Sequence, residues 1–308
     1  MFRKGDGMVF VITFLIFLLS FTTDVAFAWG PLAHVRFGLE ALRYLPLFAP
    51  AVSEFVRLHP LDFLYGNLSA DLIIAKDMVQ ESEKHCHRWK VGFEVLEGAQ
   101  TPAQKAFAYG YLTHLSADTI SHNFFVPDLS IAHFQARRLQ HSYWEMRFDH
   151  AVARGLWDQT FRIAKQCRHH DQLLAAVLEK TLFSFRMNGR IFHGVLWVQR
   201  LKRWRKTTAW IDRRSRWTVS QEAVDRYFTL AMDSVLGFLS DPQRAYCRGL
   251  DPTGHLVLSS AKTVRVILQE LKRENKLTQA VLDKVRNDLK LSLPPAGLYS
   301  REKGKEVL

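Results

Sequence analysis

Three metal-capable side chains lie four residues apart in the stretch from Tyr109 to Phe125, namely His114, Asp118 and His122. In an α-helix, a step of four residues rotates a side chain by only about 40° and raises it by about 6 Å, so the three groups share one face. Zinc ligands lie about 2.0 to 2.2 Å from their ion, whereas His114 and His122 are about 12 Å apart along such a helix. Metal binding by this stripe therefore predicts more than one ion, with the Asp118 carboxylate as a bridge. The alternative is that both histidines are ordinary polar residues on a packed helix.

Other residues of ligand type are concentrated in the same part of the chain, since nine of the 13 histidines lie between His34 and His150. The candidates are Trp29 and His34 in WGPLAH, Asp71 in FLYGNLSADLI, His85 and His87 in EKHCHRWKVGF, and His141 and Glu145 in HSYWEMRFDH. Each has an ordinary explanation when it is taken alone, such as a helix cap for Asp71 or a surface pair for His141 and Glu145. Their concentration in one region favours a shared metal site.

The elements that must position these residues are predicted to be α-helices. The chain has 308 residues, of which 48% are hydrophobic, and this is enough for a large core. No proline occurs between Pro127 and Pro242, and apolar residues recur there at three- and four-residue spacings, as in 173–185 and 223–239. Alternating segments bounded by hairpin turns are scarce. We therefore expect an all-α fold, a single helical bundle over residues 29–240, which is an architecture that builds metal sites from inward-pointing side chains.

The C-terminal part, residues 241–308, is predicted to be a helical extension of this bundle. Residues 259–275 and 277–290 have the pattern of two amphipathic helices, each opened by a serine or threonine suited to an N-cap. Pro294 and Pro295 stop helix formation, and the charged end after them is expected to fray.

The N-terminus has the pattern of a secretory signal peptide over residues 1–28. Arg3 and Lys4 precede an apolar run over residues 8–21, and small residues follow at Ala26 and Ala28. The alternative is an uncleaved membrane anchor, although the apolar run is shorter than the roughly 20 residues of a membrane span. Cleavage after Ala28 would make Trp29 the first residue of the mature protein.

The charge and the cysteines restrict the partners and the chemistry. The net charge of +12 favours anionic partners, namely phospholipid surfaces, nucleic acids or phosphate-bearing substrates. The segment 197–217 interleaves basic residues with tryptophan, a pattern that suits a membrane interface, unpaired bases or a solvated helix face.

Three cysteines permit at most one disulfide, and Cys86 is either a small buried thiol or a further ligand.

These residues resemble the zinc-dependent phospholipase C superfamily, which includes the single-strand-specific zinc nucleases and the catalytic domain of glycosylphosphatidylinositol-specific phospholipase D. The resemblance runs from Trp29 to about Glu145. It implies an α-helical bundle around up to three Zn²⁺ ions, in which the mature N-terminal tryptophan chelates zinc through its amine and its carbonyl oxygen.

Carried over to this chain, the resemblance implies three sets of ligands. They are Asp71, His114 and one of His85 and His87 for one ion, Trp29 and His34 for a second with Asp118 as the bridge between these two, and His122, His141 and Glu145 for the third. The spacing of four between Asp118 and His122 is similar to the phospholipase D type. The spacing of five between Trp29 and His34 is closer to the nucleases, so the substrate stays open.

The function implied by the resemblance is that of an exported zinc-dependent phosphodiesterase, a phospholipase C-like hydrolase that cleaves phospholipid headgroups by metal-bound water. Asp118 and Asp71 are the expected catalytic residues, and loss of Asp118 would weaken two sites together. The expected partner is an anionic or zwitterionic phospholipid membrane surface, and no protein partner is predicted. The alternatives are a single-strand-specific nuclease and a non-catalytic, zinc-stabilised protein that binds membranes. A periplasmic, a secreted and a membrane-associated location remain open.

Overall fold

Helices account for the secondary structure of the computed structural model, which describes residues 29–72, 85–136, 141–153, 155–178, 185–200, 206, 214–291 and 293–306. No strand occurs in these ranges, which confirms the all-α prediction. The α-helices are α1 (Pro31–Leu42), α2 (Pro50–Leu58), α3 (Pro60–Ser69), α4 (Trp89–Gly98), α5 (Pro102–Ile120), α6 (Val126–Ala132), α7 (His141–Val152), α8 (Trp157–Gln166), α9 (Asp171–Val177), α10 (Phe185–Arg200), α11 (Gln221–Ser240), α12 (His255–Arg273), α13 (Gln279–Leu291) and α14 (Leu298–Glu306). The predicted signal peptide and most of the basic tryptophan segment lie outside the described residues.

The central element is α5, which packs against α2, α3, α4 and α11. It begins with a capping box, in which the Thr101 hydroxyl accepts the backbone N–H of Gln104 and the Gln104 side chain accepts that of Thr101. Every residue from Gly110 to Ile120 is buried. A helix surrounded on all sides has no solvent-facing side, so its polar residues need partners inside the protein.

Two glycines allow α3 and α5 to cross at backbone contact. A Cβ atom on Gly66 would overlap the carbonyl oxygen of Phe107, and a Cβ atom on Gly110 would overlap that of Phe63. Only glycine permits this approach, because any side chain would push the two backbones apart. The close crossing brings the C-terminal end of α3 next to the middle of α5.

The predicted stripe of α5 does not stay α-helical to its end. Residues Ser121–Phe125 form a π-helical turn between α5 and α6. In a continuous α-helix the ring of Pro127 would collide with the carbonyl group of Asn123, and the wider turn relieves this conflict. His122, the last residue of the predicted stripe, therefore lies in the π turn and not in α5 with His114 and Asp118.

The C-terminal helices agree with the predictions in part. The predicted helix over 223–239 lies within α11, and the two amphipathic helices correspond to α12 and α13. Helix α12 begins at His255, four residues earlier than expected, after Gly254 in a left-handed conformation with φ 57°. The extension packs on α6 through a small apolar cluster of Ile131, Phe134, Ala261 and Leu268.

Two helix predictions need correction. Helix α9 ends at Val177, because Leu178 leaves the helical region at φ −94° and ψ 60°, so residues 173–185 do not form one continuous helix. The expected frayed end is wrong for residues 298–306, which form α14. Tyr299 is buried there, and the Asp233 carboxylate accepts the backbone N–H of Ser300 at 2.9 Å, which fixes the first turn.

Two further findings concern the cysteines and the membrane. Cys86, Cys167 and Cys247 are buried, and none forms a disulfide within the described residues. In the same part of the chain, no helix is both long and apolar enough to cross a membrane.

Candidate metal centre

A group of five buried residues surrounds the middle of α5, and we call it the buried cluster. It consists of His34 from α1, Asp71 from the 3-10 turn after α3, His87 from the turn before α4, and His114 and Asp118 from α5. Asp71 keeps 5% of its surface exposed, and the other four keep 0 to 1%. The structure thus brings together five of the residues that the sequence indicated.

The distances within the buried cluster suit the ligands of shared ions. Asp118 places Oδ1 3.3 Å from His34 Nε2, and Oδ2 3.1 Å from His114 Nε2 and 3.2 Å from His87 Nε2. The Nε2 atoms of His87 and His114 are 3.1 Å apart, and His87 Nε2 is 3.3 Å from Asp71 Oδ1. Atoms that ligate one tetrahedral zinc at 2.0 to 2.1 Å are about 3.3 Å apart, so these separations match a ligand shell.

Several polar atoms of the cluster lack hydrogen bonds. Among the described residues, neither oxygen of Asp118 and neither ring nitrogen of His34 has a partner in hydrogen-bond geometry. A buried polar atom without a partner costs about 1 to 3 kcal/mol, and more when it is charged. A cation between these atoms would remove the cost, so the residues present fit a metal.

The ring of His114 is oriented by the end of α3. Its Nδ1 atom donates to the backbone carbonyl oxygen of Asn67 at 2.8 Å, which leaves Nε2 facing the carboxylates. The glycine crossing of α3 and α5 makes this bond possible, because it brings Asn67 next to His114.

Electrostatics favour the metal-binding forms of His34 and Asp118, whereas at His114 burial is outweighed by Asp118 and Asp71, which raise the pKa and favour the protonated ring. The His34 and His114 rings stack with their centroids 3.7 Å apart. Burial, with His114 beside it, lowers the pKa of His34, so the ring is neutral at pH 7 and has a nitrogen lone pair available. Burial opposes ionisation of Asp118, but the neighbouring His114 and His34 outweigh it and hold the pKa of this carboxyl well below its usual value.

A second group, which we call the terminal group, consists of His122 in the π turn and of His141 and Glu145 in α7. His141 Nε2 lies 2.7 Å from Glu145 Oε1, and His122 Nε2 lies 3.4 Å from the same oxygen. The backbone oxygen of Pro252 is 2.5 Å from His122 Nδ1, and Gly254 packs so closely that a Cβ atom there would overlap His122. The loop before α12 therefore orients the ring of His122 and turns its Nε2 atom towards Glu145.

Of the two candidates in the HCH sequence, His87 faces the buried cluster. His87 is 1% exposed, whereas His85 is partly exposed and its Nδ1 atom accepts the backbone N–H of His87 at 3.1 Å. The Sγ atom of Cys86 lies 3.2 Å from His87 Nδ1. His85 thus orients the turn that presents His87.

Trp29 is fully buried, with its ring stacked on Phe148 at 4.7 Å between centroids. Next to it, Asp149 accepts the backbone N–H of Ala33 at 2.5 Å, and Gly30 leaves no room for a side chain against this carboxylate. Burial raises the pKa of Asp149 to about 8. Asp149 was not singled out from the sequence, although it follows Glu145 by four residues, as Glu145 follows His141.

Buried imidazoles and carboxylates gathered inside a helical bundle define a metal-binding protein of the all-α class. The family model for zinc dependent phospholipase C matches residues 33–188, which is more than half of the chain. The chain belongs to this family and is, at that level, a zinc-dependent hydrolase, which confirms the resemblance. Comparison with curated proteins and with solved structures found no match.

Proposed function

We propose that the chain is an exported phosphodiesterase that uses up to three zinc ions to hydrolyse phospholipids and release their phosphorylated headgroups. The observation that carries the proposal is the buried cluster, in which three imidazoles lie 3.1 to 3.3 Å from Asp118 and Asp71 lies 3.3 Å from His87. The family supports a zinc-dependent hydrolase of the phospholipase type.

The proposed division of the residues between the ions follows the resemblance to the family. Asp71, His87 and His114 would hold one ion, Trp29 and His34 a second with Asp118 shared between the two, and His122, His141 and Glu145 the third. His87 is favoured over His85 as the ligand, because it is buried and its Nε2 atom faces Asp71. The match of the family model begins after Trp29, so a ligand role for Trp29 rests on the proposed cleavage after Ala28.

Bound zinc would lower the pKa of a water molecule and neutralise charge on the phosphoryl oxygens. Asp71 is the natural acceptor for the proton of the attacking water, because it is the most exposed member of the buried cluster and its Oδ1 atom faces His87 and His114. The Asn67 carbonyl would keep the Nδ1 proton of His114 in place, so that Nε2 always faces the site.

A phospholipid substrate is supported by the surface next to the terminal group. Leu256, which is 77% exposed, lies two residues after Gly254, and Gly254 packs against His122. Val266 and Ile267, further along α12, are 59% and 51% exposed. The exposed apolar side chains of α12 and the net charge of +12 together suit an anionic or zwitterionic membrane surface.

Three substrates tested side by side address this proposal. Zinc-loaded mature protein is incubated with phosphatidylcholine vesicles, phosphatidylinositol vesicles and single-stranded DNA, with Asp118→Asn as the inactive control. Release of phosphorylated headgroup by the wild type alone is the expected result. Cleavage of DNA without headgroup release would assign the site to a nuclease, and vesicle binding without either reaction would make the protein a non-catalytic membrane binder.

A further inference from the structure

A second set of imidazole and carboxylate groups lies at the other end of α3, and we call it the surface group. It consists of Asp62 in the first turn of α3, with His169 and His170 from the 3-10 turn Arg168–His170. Asp62 precedes Asp71 by nine residues, which is about 13 Å along a helix. The surface group is therefore separate from the buried cluster.

The ligand-type atoms of the surface group converge on one point. Asp62 Oδ1 lies 2.7 Å from His170 Nε2 and 3.5 Å from His169 Nε2, and the two rings are 4.0 Å apart between centroids. One potential ligand atom from each of the three residues lies within 4.8 Å of the others. Small rotations of the exposed ring would bring these atoms to the separation of about 3.3 Å that one tetrahedral ion requires.

The surface group combines a fixed member with an accessible one. His170 is 1% exposed and stacks on Phe107 of α5 at 4.6 Å between centroids, so its ring is held in place. The His169 side chain is 62% exposed, and an ion can reach it directly from solvent. His59, at the N-cap of α3, adds a further imidazole with Nδ1 3.6 Å from Asp62 Oδ2.

We propose that Asp62, His169 and His170 form a solvent-accessible binding site for a divalent transition-metal ion, separate from the buried cluster and from the terminal group. Imidazole nitrogens together with one carboxylate select ions such as Zn²⁺, Cu²⁺ or Ni²⁺ over Mg²⁺ and Ca²⁺. On binding, the ion replaces the proton between His170 Nε2 and Asp62 Oδ1, and this proton is released to solvent. When bound, it clamps the start of α3 to the turn that precedes α9.

Equilibrium dialysis against zinc tests this site on the intact mature protein. His169→Gln removes an exposed ligand and leaves the fold undisturbed, and His255→Gln is the matched control because His255 is an exposed histidine outside the group. The expected result is one zinc ion fewer in His169→Gln than in the wild type and in His255→Gln. Equal zinc content in all three proteins would overturn the proposal.

Thermal unfolding provides a second readout that does not depend on hydrolysis. An ion that binds only the folded state raises Tm, so about 100 µM added zinc should raise the Tm of the wild type and of His255→Gln more than that of His169→Gln. Asp62→Asn should match His169→Gln. A zinc-dependent rise of the same size in either of these two variants would contradict the site, whatever the protein does to phospholipids.

Discussion

The buried cluster and the surface group use the same kinds of side chain in opposite settings. Four of the five members of the buried cluster are at most 1% exposed, whereas the surface group combines the buried His170 with an exposed His169 side chain. Burial makes unpaired polar atoms costly, so bound cations would stabilise the cluster as well as supply its proposed chemistry. An exposed group is hydrated without an ion, and metal binding there is optional. We therefore expect the buried cluster to keep its ions and the surface group to bind an ion only when the metal concentration is high enough.

The largest effect is expected where the buried cluster loses its shared carboxylate. Asp118→Asn should lower phosphodiesterase activity by about 100-fold or more, because the amide replaces the charge that faces three imidazoles. Zinc analysis should find the two cluster ions weakened together. Asp225→Asn, on the exposed side of α11, is the matched control and should retain activity and zinc. Normal zinc content in Asp118→Asn would exclude a bridging role.

The helix crossing that supports the buried cluster gives the next effect. Gly110→Ala should destabilise the protein by about 3 kcal/mol or more, since the added methyl group overlaps the Phe63 carbonyl of α3. Gly237→Ala in α11 is the control, because a Cβ atom there meets nothing within 4 Å, and it should be neutral or stabilising by up to about 1 kcal/mol. Denaturant unfolding of both variants measures the difference. Equal stability of the two variants would show that the crossing tolerates a side chain.

A narrower effect is expected in the terminal group. Gly254→Ala places a methyl group against His122 and forces an alanine into a left-handed conformation, so the ring should move away from Glu145. Zinc content should fall by about one ion while the ions of the buried cluster remain. Metal analysis together with a crystal structure of the variant checks this, and loss of all bound zinc would refute the division into separate ligand sets.

The smallest effect is expected when a chelator removes zinc, which distinguishes the surface group from the buried cluster. Brief dialysis against a weak chelator should remove zinc from the surface group first, because the His169 side chain is 62% exposed, and should leave activity unchanged. The cluster ions should leave only on prolonged treatment, with loss of activity. Time-resolved zinc analysis paired with activity assays follows both phases. Activity lost in step with the first released ion would contradict the order of release.

Local spacing explains how much of the centre was predictable. His114, Asp118, His141 and Glu145 lie on helices at intervals of four, so periodicity alone places them in pairs. The π turn was missed, although Pro127 marks the position where an α-helix cannot continue. The choice between His85 and His87 depends on a turn whose direction no periodicity describes.

Long-range packing explains the rest. The surface group joins Asp62 to two adjacent histidines more than a hundred residues later, a pairing that no local pattern indicates. Asp149 acts through the backbone of α1, which sequence spacing cannot reveal. Helix α14 was missed because its composition is polar and charged, and its order depends on the burial of Tyr299 against the bundle.

The most direct test of the account is a crystal structure of the mature protein, beginning at Trp29, with anomalous data collected at the zinc edge. The account predicts two peaks that share Asp118, one bounded by His114, His87 and Asp71 and the other by His34 and the Trp29 amine. A third peak should lie between His122, His141 and Glu145. The protein for this experiment is prepared without chelators. The absence of an anomalous peak beside Asp118 would then contradict the central claim.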